Sequence, residues 1–377
     1  MPSEIVKSQV NKQFSSFYLF THLPDFCIFS LYFLLVSNNI SHMEYTSKNS
    51  FVKFSLICSD IREVSSDVLV LKYARHHYGV SKILSQCLEE HGEQSTNMTP
   101  NIGHHVLIES QNCTQFDQIL WIGVPNLYDF GYEQIKKFSS SSLKILKYSD
   151  PESIAYTIHG TGYGLDEKAS FASQITGIQT ALQTEQYPPS LKHIYIVESN
   201  YHRFKSICEI ADVLLADYKQ ERGVYRLPTF DQGVRNVGME VQNIDIQTKQ
   251  HIFIAMPFDS GMDDIFYYGI QAPIHQHNLL CERIDNNEFT GDILAHIKQR
   301  IKTAFLVVAD LSGMNPNVYL EVGYAWGVGK PVILLSKEGQ EVKFDVQGEK
   351  RIIYRNIRDL SQQLSNTISC LKNHIQS

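Results

Sequence analysis

Carboxylates follow the ends of apolar segments in the last third of the chain. Asp310 ends the run AFLVVAD, Asp292 lies where a helix pattern begins, and Glu321 lies in the segment NPNVYLEVGYAWGVG. Asn315 is a good N-cap and Pro316 suits the first helical position, which places Glu321 early in the second turn. We expect backbone N–H groups near this helix start to favour its ionised form. An anion there suits chemistry at an anomeric carbon, because glycosidic cleavage passes through an oxocarbenium-like state.

Residues near the same strand ends would complete a substrate site. The predicted substrate contacts are Met256, Pro257, Phe258, Asp285, Gly291, Asp310, Ser312, Asn317 and Tyr324. Each acid also has a purely structural alternative: Asp292 can cap its helix, Asp310 can close a turn, and Glu321 can be a solvated helix position.

A glycine-rich loop, IHGTGYGLDE over residues 158–167, follows a strand pattern and opens a helix pattern. Alternate glycines allow close backbone approach to an anion, and the following helix start adds a positive dipole end. The spacing matches neither GxGxxG nor GxxxxGK[ST], and a tight turn without a ligand is the alternative. We expect a side chain at Gly162 to block the ligand. The predicted ligand-binding residues are His159, Gly160, Thr161, Gly162, Tyr163 and Gly164.

Short apolar strand patterns alternate with helix patterns on both sides of a Gly- and Pro-containing connector. The sequence therefore predicts an α/β protein with two domains: residues 50–220 with a largely parallel or mixed sheet, and residues 251–377 with a flavodoxin-like, doubly wound parallel sheet. Residues 221–250 are the predicted connector. One predicted helix, VSKILSQCLEEHG, has Ile83 and Cys87 one turn apart on the same face.

Composition excludes several classes of protein. The net charge of −7 argues against a nucleic-acid binder that works through a large basic face. The cysteines number seven and are scattered without a CxxC, which predicts reduced thiols and neither a disulfide framework nor a zinc knuckle. The pairs His76-His77 and His104-His105 are poor chelates, because neighbours on a strand point to opposite faces, and we predict no metal site.

Residues 1–42 differ from the rest of the chain. Their longest apolar run, FCIFSLYFLLV, is too short for a membrane span, and no small-residue cleavage site follows it. The preferred interpretation is a non-domain extension from an over-called start, with Met43 as the initiator. A membrane anchor is the alternative.

The second domain resembles nucleoside 2-deoxyribosyltransferases and the TIR-like nucleotide-binding proteins related to them. The matching motifs are FIAMPFD, GDILAHIKQRIKTAFLVVADLSG, NPNVYLEVGYAWGVGKPVILL and KFDVQGEKRIIY. The resemblance implies that Glu321 is the nucleophile and that Asp292 handles the base or the sugar. Asn315 falls where the transferases have a second catalytic aspartate. This difference favours the TIR-like branch, in which a helix glutamate serves cleavage of NAD at the nicotinamide–ribose bond.

The first domain resembles macro domains, through SSDVLVLKYARHHYGVSKIL, the glycine loop and HIYIVESNYHRF. The resemblance implies a macro-like fold that binds ADP-ribose or a related nucleotide. KYARHH replaces the asparagine-rich loop of that family, which makes binding a safer inference than hydrolysis. The aminopeptidase N-terminal domain of the same fold is an alternative relative.

Together these features predict N-glycosidic cleavage of NAD or a related nucleotide, regulated by a nucleotide bound to the first domain. Such fusions resemble bacterial defence effectors. The alternatives are a non-catalytic nucleotide receptor and a housekeeping deoxyribosyltransferase, so enzyme activity itself stays open. We expect no required cofactor, NAD or a nucleotide as substrate or ligand, a cytoplasmic location, no nucleic-acid or membrane partner, and a homo-oligomer.

Overall fold

The computed structural model describes residues 50–77, 79–126, 129–229, 249–257, 260–284, 291–343 and 346–376. The predictions for residues 1–42, Phe258 and Asp285 lie outside this part of the chain. Residues Asn49–Ser377 form one compact unit, within which two separate sheets are built. In the described ranges, no helix is both long enough and apolar enough to cross a membrane.

The first sheet has the strand order β3-β4-β2-β5-β6-β1-β8-β7. Neighbouring strands from β4 to β1 run parallel, whereas β3 pairs antiparallel with β4, β8 with β1, and β7 with β8. The strands are β1 Phe51–Ile57, β2 Ser66–Tyr73, β3 His105–Glu109, β4 Phe116–Gly123, β5 Ser153–Thr157, β6 His193–Val197, β7 Lys219–Glu221 and β8 Val224–Pro228. The predicted mixed α/β sheet is confirmed.

Four α-helices accompany this sheet in the described chain: α1 Val80–Glu90, α2 Tyr132–Leu146, α3 Glu167–Gln183 and α4 Tyr201–Leu214. Helices α2 and α3 cover a core that includes Phe54, Ile154 and Phe171, each of them fully buried. The buried face of α1 carries Leu84 and Leu88, and Ile83 is 46% exposed, so the predicted Ile83/Cys87 face is not the one that packs inward.

The second sheet has the order β10-β9-β11-β12-β13, and every neighbouring pair is parallel. In its own numbering this is 2-1-3-4-5, the flavodoxin-like order, so the predicted doubly wound sheet is confirmed. The strands are β9 His251–Ala255, β10 Leu280–Arg283, β11 Leu306–Asp310, β12 Val332–Lys337 and β13 Arg351–Tyr354.

Helices cover both faces of the second sheet. A π-helical segment Ile265–Gln271 runs into α5 Ala272–Gln276 and packs with α8 Ile357–Gln376 on one face. Helices α6 Gly291–Thr303 and α7 Pro316–Gly327 lie on the other. The predicted face of α6 is confirmed, because Ile293, Ile297 and Ile301 are all buried.

The start of the predicted connector belongs to the first sheet. Strand β8 pairs with β1 from Phe51 opposite Pro228 to Ser55 opposite Val224. Tyr225 on β8 is fully buried, and its hydroxyl donates to Asp212 on α4 at 2.7 Å. The described chain therefore leaves the first sheet only after Pro228.

Candidate functional site

Helix α7 positions Glu321 beside a cavity. The side chain of Asn315 accepts a hydrogen bond from the Asn317 backbone N–H at 2.9 Å, which caps the helix as predicted. A cavity of about 360 Å³ lies between α6 and α7. Its walls are formed by Leu294, Ile297, Lys298 and Ile301 of α6, and by Asn317, Tyr319, Leu320, Glu321, Gly323 and Tyr324 of α7.

Burial raises the pKa of the Glu321 carboxyl from 4.5 to about 8. Among the described residues, no hydrogen bond or ion pair reaches this carboxyl. The expectation that backbone N–H groups favour the ionised form is therefore wrong: the second turn is too far along the helix for its N–H groups to be free, because they bond within the helix. The raised pKa means that the protonated form of Glu321 persists into the neutral pH range in the free protein.

Two predicted substrate residues share the cavity with Glu321. Asn317 and Tyr324 both line it, and the Nζ atom of Lys298 lies 5.7 Å from the Tyr324 ring centroid. Gly291 and Asp292 begin α6, as predicted, but the Asp292 side chain lies outside the described part of the structure. Its proposed role stays a prediction.

Asp310 and Ser312 are committed to a buried hydrogen-bond network and do not line the cavity. Asp310 is fully buried; its Oδ1 accepts from the Ser312 backbone N–H at 2.8 Å, and its Oδ2 accepts from the Tyr354 hydroxyl at 2.8 Å. The Ser312 hydroxyl accepts from the Lys337 backbone N–H at 3.0 Å. This arrangement matches the structural alternative for Asp310, closure of a turn. Both oxygens of its carboxylate are occupied by these hydrogen bonds and do not face Glu321's cavity.

Met256 and Pro257 leave the end of β9 next to Arg283. Met256 is buried, and its sulfur lies 3.7 Å from Nη1 of Arg283. The Arg283 guanidinium also stacks on the Phe266 ring at 4.0 Å. These residues are packed together beside the strand ends, as the sequence predicts, but they are not part of the Glu321 cavity wall.

The glycine loop joins β5 to α3, as predicted. Asp166 caps α3 by accepting from the Ala169 backbone N–H at 2.9 Å. Gly160 and Gly164 both have φ near +94°, and a Cβ atom would meet Leu165 Cδ1 at 2.7 Å at the first position and Ile284 Cγ1 at 2.6 Å at the second. A Cβ atom at Gly162 would meet nothing within 4 Å, so Gly162 is not strained or crowded by the protein itself. The tight positions are its two neighbours in the glycine series.

The tip of this loop docks on the second sheet. Tyr163 forms an isolated antiparallel bridge with Ile284, which follows β10. His296 on α6 makes a short contact from Nε2 to the Tyr163 carbonyl oxygen. The loop predicted to hold a ligand thus touches the helix that forms one wall of the Glu321 cavity.

A polar network surrounds this docking contact. His275 Nε2 lies 2.6 Å from Asp166 Oδ2, and Gln271 donates to Glu167 at 2.8 Å. Burial alone would raise the pKa of Asp166, but the nearby His275 and the hydrogen bonds that Asp166 accepts outweigh it and hold the pKa below 3.8. The same pairing raises the pKa of His275, against the opposing effect of burial.

Glu282 on β10 forms the second part of the network. Its side chain is fully buried, accepts from the Tyr132 hydroxyl at 2.8 Å, and accepts from Nε of Arg300 at 2.8 Å. Nη2 of Arg300 forms a second contact with the same carboxylate. Both carboxylate oxygens therefore have donors, one from each sheet's set of helices.

Two further groups lie beside the glycine loop: Lys72, which the sequence did not single out, and His159, which it did. The Nζ atom of Lys72 lies 4.7 Å from the Phe130 ring centroid and 4.9 Å from that of Tyr163, and burial lowers its pKa to about 8. His159, itself among the predicted ligand residues, is only 3% exposed, and its Nε2 atom has no partner among the described groups. The sequence does hold a signal for Lys72. It follows Val68 and Val70 at two-residue steps on β2, so it lies on the same face of the strand as these buried residues.

Cys87 and Cys113 form a disulfide, which corrects the prediction that all cysteines are reduced thiols. The spacing of 26 residues gives no sequence signal for the pairing. Cys58, Cys208, Cys281 and Cys370 are not part of this disulfide.

Comparisons with known proteins find partial structural likenesses. No protein-family model matches the chain, and no curated protein matches it. A macrodomain variant from Oceanobacillus iheyensis is 14% identical, covers 45% of this chain and 96% of its own, and has a TM-score of 0.37. A Trypanosoma brucei macrodomain in complex with ADP is 15% identical, with 42% and 68% covered and a TM-score of 0.35. A Clostridium botulinum CMP N-glycosidase is 20% identical, with 31% and 99% covered and a TM-score of 0.26.

Proposed function

We propose that the second sheet carries an N-glycosidase or glycosyl-transfer site acting on a nucleotide, with Glu321 as its reacting carboxyl. The observation that carries this proposal is a carboxyl on an apolar cavity wall, with its pKa raised to about 8 and without a partner among the described residues. The other buried carboxylates of the described residues are hydrogen-bonded or ion-paired: Asp166, Glu167, Glu198, Glu282 and Asp310. A strongly perturbed, unpaired carboxyl in a cleft is a typical functional group.

The chemistry follows from the charge that the reaction develops. As the C1′–N bond breaks, its electron pair leaves with the base and the sugar gains oxocarbenium character. In its ionised form, Glu321, which no ion pair reaches among the described residues, interacts with that positive charge more strongly than with the neutral sugar of the ground state. Its oxygen can also bond to C1′, after which water or a second base takes the sugar.

The cavity fits a nucleoside in size and lining. Its volume of about 360 Å³ lies within the usual range for small-molecule sites. Leu294, Leu320 and Tyr324 offer apolar and aromatic contact for a base, and Lys298 offers a cation for a phosphate. NAD, a pyrimidine nucleotide and a deoxynucleoside are the substrates we propose to compare.

The first sheet would bind a nucleotide through its phosphates and influence the second. Lys72 and the unpartnered Nε2 of His159 are the groups that would meet the anion, because Asp166 already caps the α3 N-terminus. Tyr163 lies between Lys72 and Ile284, and its carbonyl contacts His296 of α6. A ligand that displaces Tyr163 would therefore move the helix that also lines the Glu321 cavity, which supports regulation as the role of the first sheet.

The test is product formation from NAD, CMP and deoxynucleosides by wild type and by Glu321→Gln. CMP is included because one of the similar structures is a CMP N-glycosidase. The variant keeps size and loses the negative charge, so we expect the turnover rate to fall at least about a hundredfold, roughly 2.7 kcal/mol. Glu338→Gln, a change at an exposed glutamate, is the matched control.

The outcomes separate the proposed roles. Release of a free base with water identifies hydrolysis, and transfer of the sugar to a second base identifies a deoxyribosyltransferase. Full activity in Glu321→Gln would overturn the assignment. The receptor hypothesis would be favoured by two results together. Wild type would cleave none of the substrates, and calorimetry would show ADP-ribose binding that Lys72→Met weakens and Lys144→Met, a change at an exposed lysine, does not.

A further inference from the structure

Three metal-ligating side chains meet at the C-terminal end of α1, and none of them belongs to either candidate site. Cys87 lies in the last turn of α1, and His91 caps that helix. Cys113 lies in the turn between β3 and β4, 26 residues from its disulfide partner Cys87. The ligand atoms of the three residues all lie within 4.8 Å of one another.

The disulfide fixes the two sulfurs, and the imidazole of His91 lies beside both of them. Nδ1 of His91 lies 3.6 Å from Sγ of Cys113 and 3.9 Å from Sγ of Cys87. Tetrahedral zinc, with Zn–S near 2.3 Å and Zn–N near 2.0 Å, separates a sulfur and a nitrogen ligand by about 3.5 Å. The imidazole already stands at that distance from both sulfurs.

The local backbone favours chelation. Cys87 and His91 are four residues apart at the end of a helix and so lie on one face. Both cysteines are half-buried and His91 is exposed, which leaves a route for an ion and room for water as a fourth ligand. His91 Nδ1 now lies 2.8 Å from the Cys87 carbonyl oxygen, a contact that it would exchange for the metal in the Nε2–H tautomer.

We propose that the reduced form of Cys87, His91 and Cys113 binds a thiophilic divalent cation, with Zn²⁺ the best fit. Reduction consumes two electrons and two protons from a dithiol, which leaves as its own disulfide. The cation then displaces the two thiol protons and is bound by two thiolates and a neutral imidazole, so the site carries no net charge. The bound ion takes over the cross-link between α1 and the β3–β4 turn that the disulfide makes in the oxidised form.

The test is titration of the reduced, full-length protein with Co²⁺, followed by displacement with Zn²⁺. We expect one Co²⁺ per chain, with thiolate-to-metal charge-transfer bands and the intense visible bands of tetrahedral cobalt. Cys87→Ser and Cys113→Ser should abolish these bands. His91→Gln should weaken binding by at least about tenfold. Cys58→Ser and His104→Gln, which change exposed residues elsewhere, should behave as wild type.

Oxidation of the wild type provides a second test that needs no substitution. The disulfide form should bind no Co²⁺, and addition of a dithiol reductant should restore binding. The proposal is overturned if the reduced wild type binds no more Co²⁺ than Cys87→Ser, if the oxidised protein binds it equally well, or if Cys58→Ser removes the bands.

Discussion

The surroundings of Glu282 on β10 and Glu321 on α7 differ sharply. Glu282 is fully buried, whereas Glu321 is half-buried. Glu282 is held by Tyr132 and Arg300, so its charge is matched and its oxygens are hydrogen-bonded. Glu321 lines an apolar cavity, and its pKa is raised to about 8. Paired carboxylates of this kind join parts of a structure, whereas an unpaired one is costly and is a candidate for chemistry.

One helix connects the two regions. His296 and Arg300 of α6 reach toward the first sheet, while Ile297 and Lys298 of the same helix line the cavity. The polar network therefore fixes one wall of the cavity. A substitution in the network should shift α6 and so change the surroundings of Glu321.

The largest difference in stability should appear when the same Glu→Gln substitution is made separately at Glu282 and at Glu321. Glu282→Gln leaves the Arg300 guanidinium without its carboxylate, and we expect a loss of about 3 kcal/mol in the free energy of unfolding, at the low end for a broken buried pair because Arg300 reaches some solvent. Glu321→Gln removes a carboxyl that has no partner among the described residues and whose pKa is raised in the folded protein, so the free energy of unfolding should not fall and should rise slightly at neutral pH. Urea denaturation measures both.

Glu338→Gln is again the exposed control. A double variant, Glu282→Leu with Arg300→Met, should regain much of the loss, because it removes both charges together. Equal stability losses for Glu282→Gln and Glu321→Gln would contradict the conclusion that Glu282 is a paired carboxylate and Glu321 an unpaired one.

Most strands of both sheets could be predicted from the sequence, because short apolar strands and the four-residue steps of Ile293, Ile297 and Ile301 are local signals. The start of α7 was predicted from Asn315 and Pro316 for the same reason. Strands β7, β8 and β13 were missed. The pairing of β8 with β1 depends on partners about 170 residues away in the sequence.

The sites were harder to predict, because their properties depend on tertiary contacts. Nothing local to Glu321 shows that α6 covers it and raises its pKa, and nothing local to Gly164 shows that Ile284 lies against it. The Cys87–Cys113 pair likewise joins a helix to a distant turn. Asp310 was identified as a candidate from its place at a strand end, but its partner Tyr354 comes from another strand.

The next largest difference in stability should distinguish Gly164 from Gly162 in the glycine loop. Gly164→Ala places a Cβ atom against Ile284 at a φ of +94°, and we expect a loss of about 1–3 kcal/mol in the free energy of unfolding. Gly162→Ala has open space and no positive φ, so its stability should change little. Denaturation of the two variants side by side tests whether the loop is built against the second sheet; equal losses would contradict the docking contact.

The smallest effect should be a pH-dependent difference in melting temperature between wild type and Glu321→Gln. The pKa of Glu321 is raised from 4.5 to about 8, so between these values the folded protein keeps a proton that the unfolded chain has released. The resulting stabilisation is fully present below the unfolded pKa and is lost as the pH rises through the folded one. Wild type should thus lose melting temperature relative to the variant from about pH 5 to about pH 8 and run parallel to it at higher pH.

The shift in melting temperature should be small because solvent reaches part of the Glu321 carboxyl. A difference that is flat across this range would show that Glu321 ionises normally, and the case for its special role would then rest on turnover alone.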